Sequence, residues 1–318
     1  MAHPTLKQLK YLIAVSDHLH FGHAAKACFV SQSTLSMGIA ELENTLGVPL
    51  IERTNKSVRL TQMGRKINHK ARIILAETND LVFMAQSAQK PFQTEMHMGI
   101  IPTVAPFILP SLLADIRKLH PEFKLYVRED LSGHLIEQLY TGNLDVLLLA
   151  LPYPAEDTET RHLFDDELLL ACCKDNTISQ KSTLSTSDLN QQEFVLLEDG
   201  HCLRDHSMEA CKIHSESIFI RYQATSLNTV IQMVANNIGI TILPKMAVDA
   251  QFLNHDNVIT KSFDEDNVSR SIGLMWRKSS PRVAEFEVLC DLIRQRHSIY
   301  RVWILRSVAC SRLIDFRA

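Results

Sequence analysis

Apolar residues recur at helical spacing through the first 46 positions of the chain. Leu6, Leu9 and Ile13 mark a first helix, and a short second helix is expected over residues 24–28. A third helix follows, with Ser31 or Ser33 as its cap and a buried stripe at Leu35, Ile39, Leu42 and Leu46. Two short strands, 50–53 and 58–61, flank a turn at Asn55 and Lys56. This order of elements predicts a winged helix-turn-helix.

Small polar residues begin the third helix on the side opposite its apolar stripe: Gln32, Ser33, Thr34 and Ser36. In helix-turn-helix proteins this part of the second helix of the pair meets base edges and phosphates. The wing adds three basic side chains for phosphate contact, Arg53, Lys56 and Arg59. An ordinary capped helix start and a solvated turn account for the same residue types equally well.

A long helix is expected next, because residues 62–89 contain no proline. Its apolar and small residues alternate in steps of four and three, at Ile67, Ala71, Ile74, Thr78, Leu81, Ala85 and Ala88. That 3.5-residue period is typical of a helix that pairs with another helix. The alternative is a helix packed on its own domain. A helix of about 28 residues would be roughly 42 Å long, which is longer than the head of one chain can cover. This length favours pairing with the same helix of a second chain in a dimer.

Strands alternate with helices after Pro91. The first set comprises a strand at 97–101, a helix at 108–119, a strand at 124–128, a helix ending at Tyr140 and a strand at 145–149. The second comprises strands at 168–172 and 193–197, a helix at 226–236, a strand at 240–243 and a return of the chain near 272–276. Such alternation predicts parallel, doubly wound sheets in two lobes, as in a periplasmic binding protein, with a ligand crevice at the carboxyl ends of the strands.

Charge is distributed unevenly along the 318 residues. Residues 1–90 carry 11 Lys and Arg against 6 Asp and Glu, whereas the rest carry 22 against 30. A basic head on an acidic body indicates that the head meets a polyanion. The common phosphate-loop and hydrolase motifs are absent, so no nucleotide cofactor is expected.

The lengths of the apolar runs and the spacing of the cysteines indicate the compartment of the protein and whether it holds disulfides or a metal. No run approaches the roughly 18 residues of a membrane span or forms a signal-peptide core, so we expect a cytoplasmic protein that does not enter a membrane. Seven cysteines without CxxC spacing argue against a structural disulfide framework and against a zinc ribbon. We therefore expect no metal, and a disulfide only as a transient species.

Two of these cysteines, Cys202 and Cys211, lie nine positions apart in the segment LLEDGHCLRDHSMEAC. A disulfide needs Cα atoms within about 7 Å, whereas nine helical residues rise roughly 13.5 Å and leave the two side chains on opposite faces. If residues 203–211 are helical when reduced, forming the bond must unfold that helix, which would make the segment a redox switch. Burial of both cysteines as packing residues is the commoner outcome and is favoured by the pattern alone.

The segment HFGHAAKACFVSQSTLSMGIAELENTLGVPLIERT, followed by LTQMG, resembles the DNA-binding head of the LysR-type transcriptional regulators over roughly the first 65 residues. Gly22, His23, Met37 and Gly38 depart from residues common in that family. The segments GIIPTVAP, LEDGHCLRD and TSLNTVIQMVANNIGITILP extend the likeness to the peroxide-sensing activators within the family, from Leu6 to Arg296.

The resemblance implies roles for particular residues. Cys202 would be the peroxide-reactive thiol and Cys211 its resolving partner. Six further residues would position peroxide and assist proton transfer: Thr103, Ser132, His201, Arg204, Asp205 and Arg270. The implied partners are operator DNA, further copies of the chain in a dimer or a homotetramer, RNA polymerase and a thiol reductant such as glutaredoxin. Between the cysteines, His206, Glu209 and Ala210 depart from the pattern and could shift the oxidation threshold.

The expected fold is multidomain. It comprises an all-α winged helix-turn-helix head (1–61), a linker helix (62–90), a two-lobed α/β sensor domain resembling a periplasmic binding protein (91–296) and an arginine-rich tail (297–318) whose role stays open between an interface helix and none. The expected function is transcriptional activation of oxidative-stress genes, without catalytic turnover. Two alternatives stay open: a LysR-type regulator gated by a small metabolite in the crevice, and a thiol peroxidase.

Overall fold

The computed structural model describes residues 3–54, 57–86, 92, 94–190, 192–213, 219–250 and 256–296. It divides into two compact units, one formed by residues 1–90 with 138–143 and the other by residues 91–137 with 144–318. The arginine-rich tail, Lys56 and Ala88 lie outside the described residues.

Three helices and a hairpin form the head: α1 (Leu6–His18), α2 (Phe21–Ala27), α3 (Gln32–Leu46), β1 (Ile51–Thr54) and β2 (Ser57–Leu60). Ser31 caps α3, since its Oγ accepts the Thr34 amide at 3.1 Å. Gly47 ends α3 with a φ of 71°, a conformation that favours glycine. The strands β1 and β2 pair in antiparallel register, with Ile51 opposite Leu60. The helix-turn-helix and its wing are therefore confirmed.

Helix α4 spans Gln62–Gln86, and its first half packs against the head rather than facing away from it. Ala71 is buried in the head core and Ile67 packs against that core. The Asn68 side chain donates a hydrogen bond to Ser16 Oγ. The stripe expected to pair two copies of the chain is therefore exposed only from Ile74 onwards, where Leu81 is 66% exposed. Pairing through this second half stays a prediction.

The first lobe of the sensor domain is built from β3 (Met96–Ile100), α5 (Ala105–Leu119), β4 (Leu125–Glu129), α6 (Ser132–Tyr140) and β5 (Val146–Leu151). The central strand β3 pairs in parallel with β4 and with β5. The residues of β5 from Val146 to Ala150 are fully buried on both faces, as its continuous apolar run predicted.

The second lobe begins on a long strand, β6 (Thr158–Cys173). It continues through β7 (Glu193–Leu197), α7 (Cys202–Ala210), β8 (Phe219–Ala224), α8 (Leu227–Ala235), β9 (Thr241–Pro244), α9 (Lys245–Asp249) and β10 (Val258–Lys261). The chain then returns along β11 (Ser269–Arg277), and a last helix covers residues 283–296. β7 and β8 are parallel, and an isolated parallel bridge joins Phe194 to Ile240.

The strand β6 connects the two lobes. Its first half pairs antiparallel with β11, which itself pairs antiparallel with β5 of the first lobe. Its second half pairs antiparallel with β9 and β10 of the second lobe. The two-lobed α/β fold is therefore confirmed, but the main sheet is mixed rather than parallel, because β6 and β11 pair antiparallel with their neighbours. Residues 158–167 were missed as a strand because half of them are exposed and their apolar residues do not alternate regularly with polar ones.

Among the residues that the structure describes, no helix combines the length and the apolar character needed to cross a bilayer.

Candidate functional site

Helix α7 carries the two cysteines at its two ends. Cys202 is its first residue and Cys211 is its C-cap, so the expected helix is confirmed. Both thiols are free and buried, with residue exposures of 5% for Cys202 and 1% for Cys211. The nine-residue spacing along this helix separates them by about 13.5 Å, well beyond the distance of about 7 Å that a disulfide allows between Cα atoms. The described conformation is therefore a dithiol that cannot close into a disulfide without unfolding α7.

A small cleft opens beside Cys202, with an empty volume of about 150 Å³. Its wall is formed by Ile101, Pro102, Thr103, Leu131, Ser132, Gly200, His201 and Cys202. These residues follow the carboxyl ends of β3, β4 and β7, which is where open α/β sheets bind ligands. The fold thus brings three residues predicted to bind peroxide, Thr103, Ser132 and His201, to one thiol.

Thr103 presents a hydrogen-bond donor to this cleft. Its Oγ1 accepts a hydrogen bond from Arg270 Nη1 at 2.8 Å. A guanidinium has donors only, so the hydroxyl proton of Thr103 is not used in that bond. Thr103 is therefore able to donate to an oxygen atom bound between it and Cys202.

Ser132 and His201 complete the polar lining. Ser132 is 2% exposed, and its Oγ has no hydrogen-bond partner among the described residues. A buried, unsatisfied hydroxyl costs about 1–3 kcal/mol unless a ligand or water meets it. Burial lowers the pKa of His201, so its imidazole stays neutral at physiological pH and keeps one ring nitrogen as an acceptor. The cleft can thus both donate to and accept from a small polar molecule.

Arg270 lies behind Thr103 rather than in the cleft wall. Its side chain is fully buried, and its Nε and Nη2 donate to Asp166 Oδ2 at 3.1 and 3.0 Å. Arg270 therefore reaches the cleft through its hydrogen bond to Thr103 Oγ1.

Two residues expected at the site lie away from the cleft wall. Arg204 forms an ion pair with Asp199, with Nη1 and Oδ1 2.7 Å apart, and Asp205 is exposed on the first turn of α7. Successive helix residues turn by about 100°, so Arg204, two positions beyond Cys202, points away from it, whereas Asp205, three positions beyond, stays on nearly the same face of α7. The resemblance implied that both residues belong to the site, and neither forms part of the cleft wall.

Two residues were missed by the sequence reasoning. Asp166 is buried against Arg270, and the only signal for it was an acid beside the apolar run LLLACC. Tyr153 lies near Cys202: burial raises the pKa of its phenol, and the charges of Cys202 and Asp205 raise it further. No sequence pattern marked Tyr153.

Cys211 occupies an apolar environment at the far end of α7. Burial raises the pKa of its thiol to about 12, with a further contribution from the charge of Glu265. Since the thiolate is the attacking species in disulfide exchange, Cys211 is unreactive while α7 is folded. His206 also holds the helix in place, because its Nε2 donates to the Pro152 carbonyl at 3.2 Å.

The Cys211 thiol makes stability depend on pH. Its pKa rises from 9.0 in the unfolded chain to about 12, so the folded chain holds this proton more tightly. The stabilisation is complete below pH 9 and is lost as the pH rises from 9 towards 12. Between pH 8 and pH 10 we expect the parent chain to lose about 1 kcal/mol more unfolding free energy than Cys211→Ala, measured by urea denaturation without oxidant. Equal losses in the two chains would contradict the buried thiol.

The helix expected to read DNA presents a mixed surface. Gln32 and Ser33 are exposed at the start of α3, whereas Thr34 and Ser36 are half-buried. The hydroxyls of Ser33 and Thr34 both lie 2.8 Å from Ser31 Oγ. Ser31, which was considered only as a cap, thus organises the residues predicted to meet DNA.

One apolar residue shares this surface. Met37 is 61% exposed, one helical turn beyond Ser33. In the wing, Arg59 is exposed on β2, Arg53 lies in β1, and Lys56 lies outside the described residues.

The chain is similar to known transcriptional regulators along most of its length. Residues 6–65 match the model of the bacterial regulatory helix-turn-helix protein, lysR family, and residues 89–298 match the LysR substrate binding domain. The chain is 40% identical to the HTH-type transcriptional regulator EstR of Acinetobacter baylyi, covering 92% of this chain and 97% of EstR. It is 37% identical to the DNA-binding transcriptional dual regulator OxyR of Escherichia coli, covering 92% and 95%. Among solved structures, an OxyR mutant of Corynebacterium glutamicum with H2O2 bound superimposes with a TM-score of 0.65 at 31% identity, covering 96% of each chain.

Proposed function

This chain belongs to the LysR family of bacterial helix-turn-helix regulators, and from that premise we propose that it senses hydrogen peroxide by reversible formation of a Cys202–Cys211 disulfide and activates oxidative-stress genes. The family is one of transcriptional regulators, so the sensor domain serves to control the head and not to turn over a substrate. The close relationship to OxyR supports peroxide as the signal.

The observation that carries this proposal is the cleft beside Cys202. The cleft is tightly packed and has far less room than a site for a metabolite, but it is lined by a donor hydroxyl, an unsatisfied hydroxyl and a neutral imidazole. Hydrogen peroxide is small and carries two oxygens that both donate and accept. Hydrogen peroxide therefore fits this small, polar cleft better than a larger, apolar effector would.

In the first step the Cys202 thiolate attacks one oxygen of peroxide. The S–O bond forms as the O–O bond breaks, the sulfur is oxidised to sulfenic acid, and the second oxygen leaves as hydroxide and takes a proton to become water. Two features favour this step. Cys202 begins α7, where the helix dipole favours negative charge, and Thr103 can donate to the leaving oxygen.

In the second step Cys211 attacks the sulfur of the Cys202 sulfenic acid. The S–S bond forms, the S–O bond breaks, and hydroxide leaves and is protonated to a second water. Overall, two thiols and one peroxide yield one disulfide and two waters. Because Cys211 is buried and protonated while α7 is folded, this step requires α7 to unfold. Disulfide formation would then hold the segment in a second conformation.

The change in the sensor domain would be read out by paired heads on operator DNA. We propose a dimer through the exposed second half of α4, assembled further into a tetramer, which contacts RNA polymerase in the cytoplasm. In the head, Gln32, Ser33, Thr34 and Ser36 would face the bases and Arg53, Lys56 and Arg59 the phosphates. A cytoplasmic thiol reductant, such as glutaredoxin, would return the disulfide to two thiols.

The direct test is to treat the reduced full-length chain with one equivalent of hydrogen peroxide and measure its intact mass. We expect the loss of two hydrogen masses, reversed by dithiothreitol, and peptide mapping that joins Cys202 to Cys211. A dominant bond involving Cys172, Cys173 or Cys290 would contradict the proposal. A chain that keeps all its thiols would also contradict it.

A second candidate is a LysR-type regulator gated by a small metabolite, which the match of residues 89–298 to the LysR substrate binding domain favours. The two functions differ in their dependence on Cys202. A metabolite-gated regulator keeps its response after Cys202→Ser, whereas a peroxide sensor loses it.

A further inference from the structure

We propose that Asp166 is a positioning residue for the peroxide step: through Arg270 it holds the Thr103 hydroxyl as a donor directed into the cleft. This inference rests on the proposed function, because it concerns how Cys202 reacts with peroxide. It adds a carboxylate that is distant in sequence from both cysteines and touches neither of them.

The three side chains form a continuous chain of hydrogen bonds. Asp166 on β6 and Arg270 on β11 are directly opposite each other in the antiparallel register. Arg270 Nε and Nη2 both donate to Asp166 Oδ2, and Arg270 Nη1 donates to Thr103 Oγ1 at 2.8 Å. Nη2 also donates to the Thr103 carbonyl oxygen at 3.0 Å, so the guanidinium forms two hydrogen bonds to Thr103.

The carboxylate is itself held from a second side. Asp166 Oδ1 accepts the amide of Met246 at 3.0 Å, where β9 meets α9. The Asp166 side chain is 3% exposed and that of Arg270 is fully buried. With both carboxylate oxygens bonded, Asp166 has no room to swing away. It fixes the guanidinium plane in one orientation.

Burial raises the pKa of the Asp166 carboxyl, whereas the Arg270 guanidinium and the Met246 amide favour its ionised form. Paired with that carboxylate, Arg270 can stay buried. A guanidinium cannot lose its proton, and its other contacts, the Thr103 oxygens and Met246 Sδ at 3.7 Å, are neutral. An unpaired buried charge is costly, so removing the carboxylate would drive the guanidinium towards solvent. The bond to Thr103 Oγ1 would be lost with it.

Losing that bond changes what Thr103 does in the cleft. While Oγ1 accepts from Arg270, its own proton is directed away from the guanidinium and can be donated to peroxide. The positive guanidinium also polarises the hydroxyl, which strengthens it as a donor. During attack by Cys202, negative charge develops on the leaving oxygen, and a donor held in advance lowers the barrier. Without Asp166 the hydroxyl is free to rotate and accept instead.

The experiment uses the full-length chain with Cys211→Ser, so that oxidation stops at the Cys202 sulfenic acid. Two second-order rate constants are measured for each variant by intact mass: reaction of Cys202 with hydrogen peroxide and with iodoacetamide. The alkylating agent reports the thiolate and its access but needs no donor for a leaving oxygen. We expect Asp166→Asn to slow the peroxide reaction about tenfold and to change alkylation by less than about twofold.

A double-mutant comparison tests whether Asp166 acts through Thr103. Thr103→Val should slow the peroxide reaction by a similar factor, and adding Asp166→Asn to Thr103→Val should slow it no further. The matched control is Asp165→Asn, the same substitution at the neighbouring, exposed carboxylate, which should leave both rate constants unchanged.

Each outcome separates this inference from the proposed function. If the parent chain is not oxidised at Cys202, the proposed function fails. If the parent is oxidised but Asp166→Asn reacts as fast as the parent, slows both reagents equally or adds fully to Thr103→Val, the positioning role fails. Should Asp166→Asn not fold, as judged by thermal melting, the pair Asp166→Leu with Arg270→Met removes both charges together and keeps the packing. That pair must show the same selective loss and the same lack of additivity.

Discussion

Replacing Cys202 with serine is expected to abolish the response to peroxide. The serine hydroxyl fills the same position in the cleft but is not a nucleophile towards peroxide, because the reaction depends on a thiolate. The intact mass should stay unchanged after one equivalent of peroxide, and the footprint of the chain on operator DNA should be the same with and without oxidant. In a reporter strain, induction by peroxide should fall to the uninduced level.

The matched control is Cys172→Ser, which replaces another fully buried cysteine of the same lobe. This variant should keep the mass change and the induction. Cys211→Ser separates the two chemical steps: it should gain one oxygen at Cys202 but show no disulfide and no lasting change in DNA binding. A normal response from Cys202→Ser would refute the redox mechanism and support gating by a metabolite.

Replacing Gly64 with alanine is expected to unfold the head. Gly64 is in the first turn of α4, and an added Cβ would lie 2.0 Å from the carbonyl oxygen of Leu50. That oxygen is held in place because it accepts the Thr61 amide at 2.9 Å, while Glu43 Oε1 accepts the Leu50 amide at 2.7 Å. Backbone that is fixed on both sides cannot move away, so the free energy of unfolding of the head should fall by about 3 kcal/mol or more.

Thermal melting of the chain and operator binding by fluorescence anisotropy would measure this effect. The expected result is an early melting transition and the loss of specific binding, with the Cys202 oxidation rate unchanged, since the sensor domain keeps its own core. The control is Gly47→Asn, also in the head. Gly47 has a φ of +71° with nothing within 4 Å of an added Cβ, and asparagine tolerates that conformation. Equal stability of Gly64→Ala and Gly47→Asn would contradict the close approach to Leu50.

The elements that the sequence predicted well are those whose evidence is local. The stripe of Leu35, Ile39 and Leu42 identified α3, because helical periodicity is contained within a few turns of chain. The continuous apolar run of β5 marked a buried strand. Residues 158–167 show no such local pattern, since half of these positions are exposed and the strand is stabilised by its pairing with β11, more than 100 residues away in the chain.

The candidate site divides in the same way. Thr103, Ser132 and His201 were identified from their positions after predicted strands and from the family resemblance, and the fold brings them to Cys202. Arg204 and Asp205 were expected there from the family resemblance, but neither lines the cleft: Arg204 pairs with Asp199, and Asp205 is exposed on α7. Asp166 was not expected, because its pairing with Arg270 depends on strand register.

The sequence by itself determined that Cys202 and Cys211 sit at opposite ends of a helix and cannot bond within it, because helix geometry converts a spacing of nine into a separation in space. Only the tertiary structure decided which groups surround the first thiol and how buried the second is. The surroundings of Cys202 depend on Thr103 after β3, Asp166 on β6 and Arg270 on β11, which are far apart in the chain and meet through strand pairing. The spacing of residues within a short segment cannot predict such contacts.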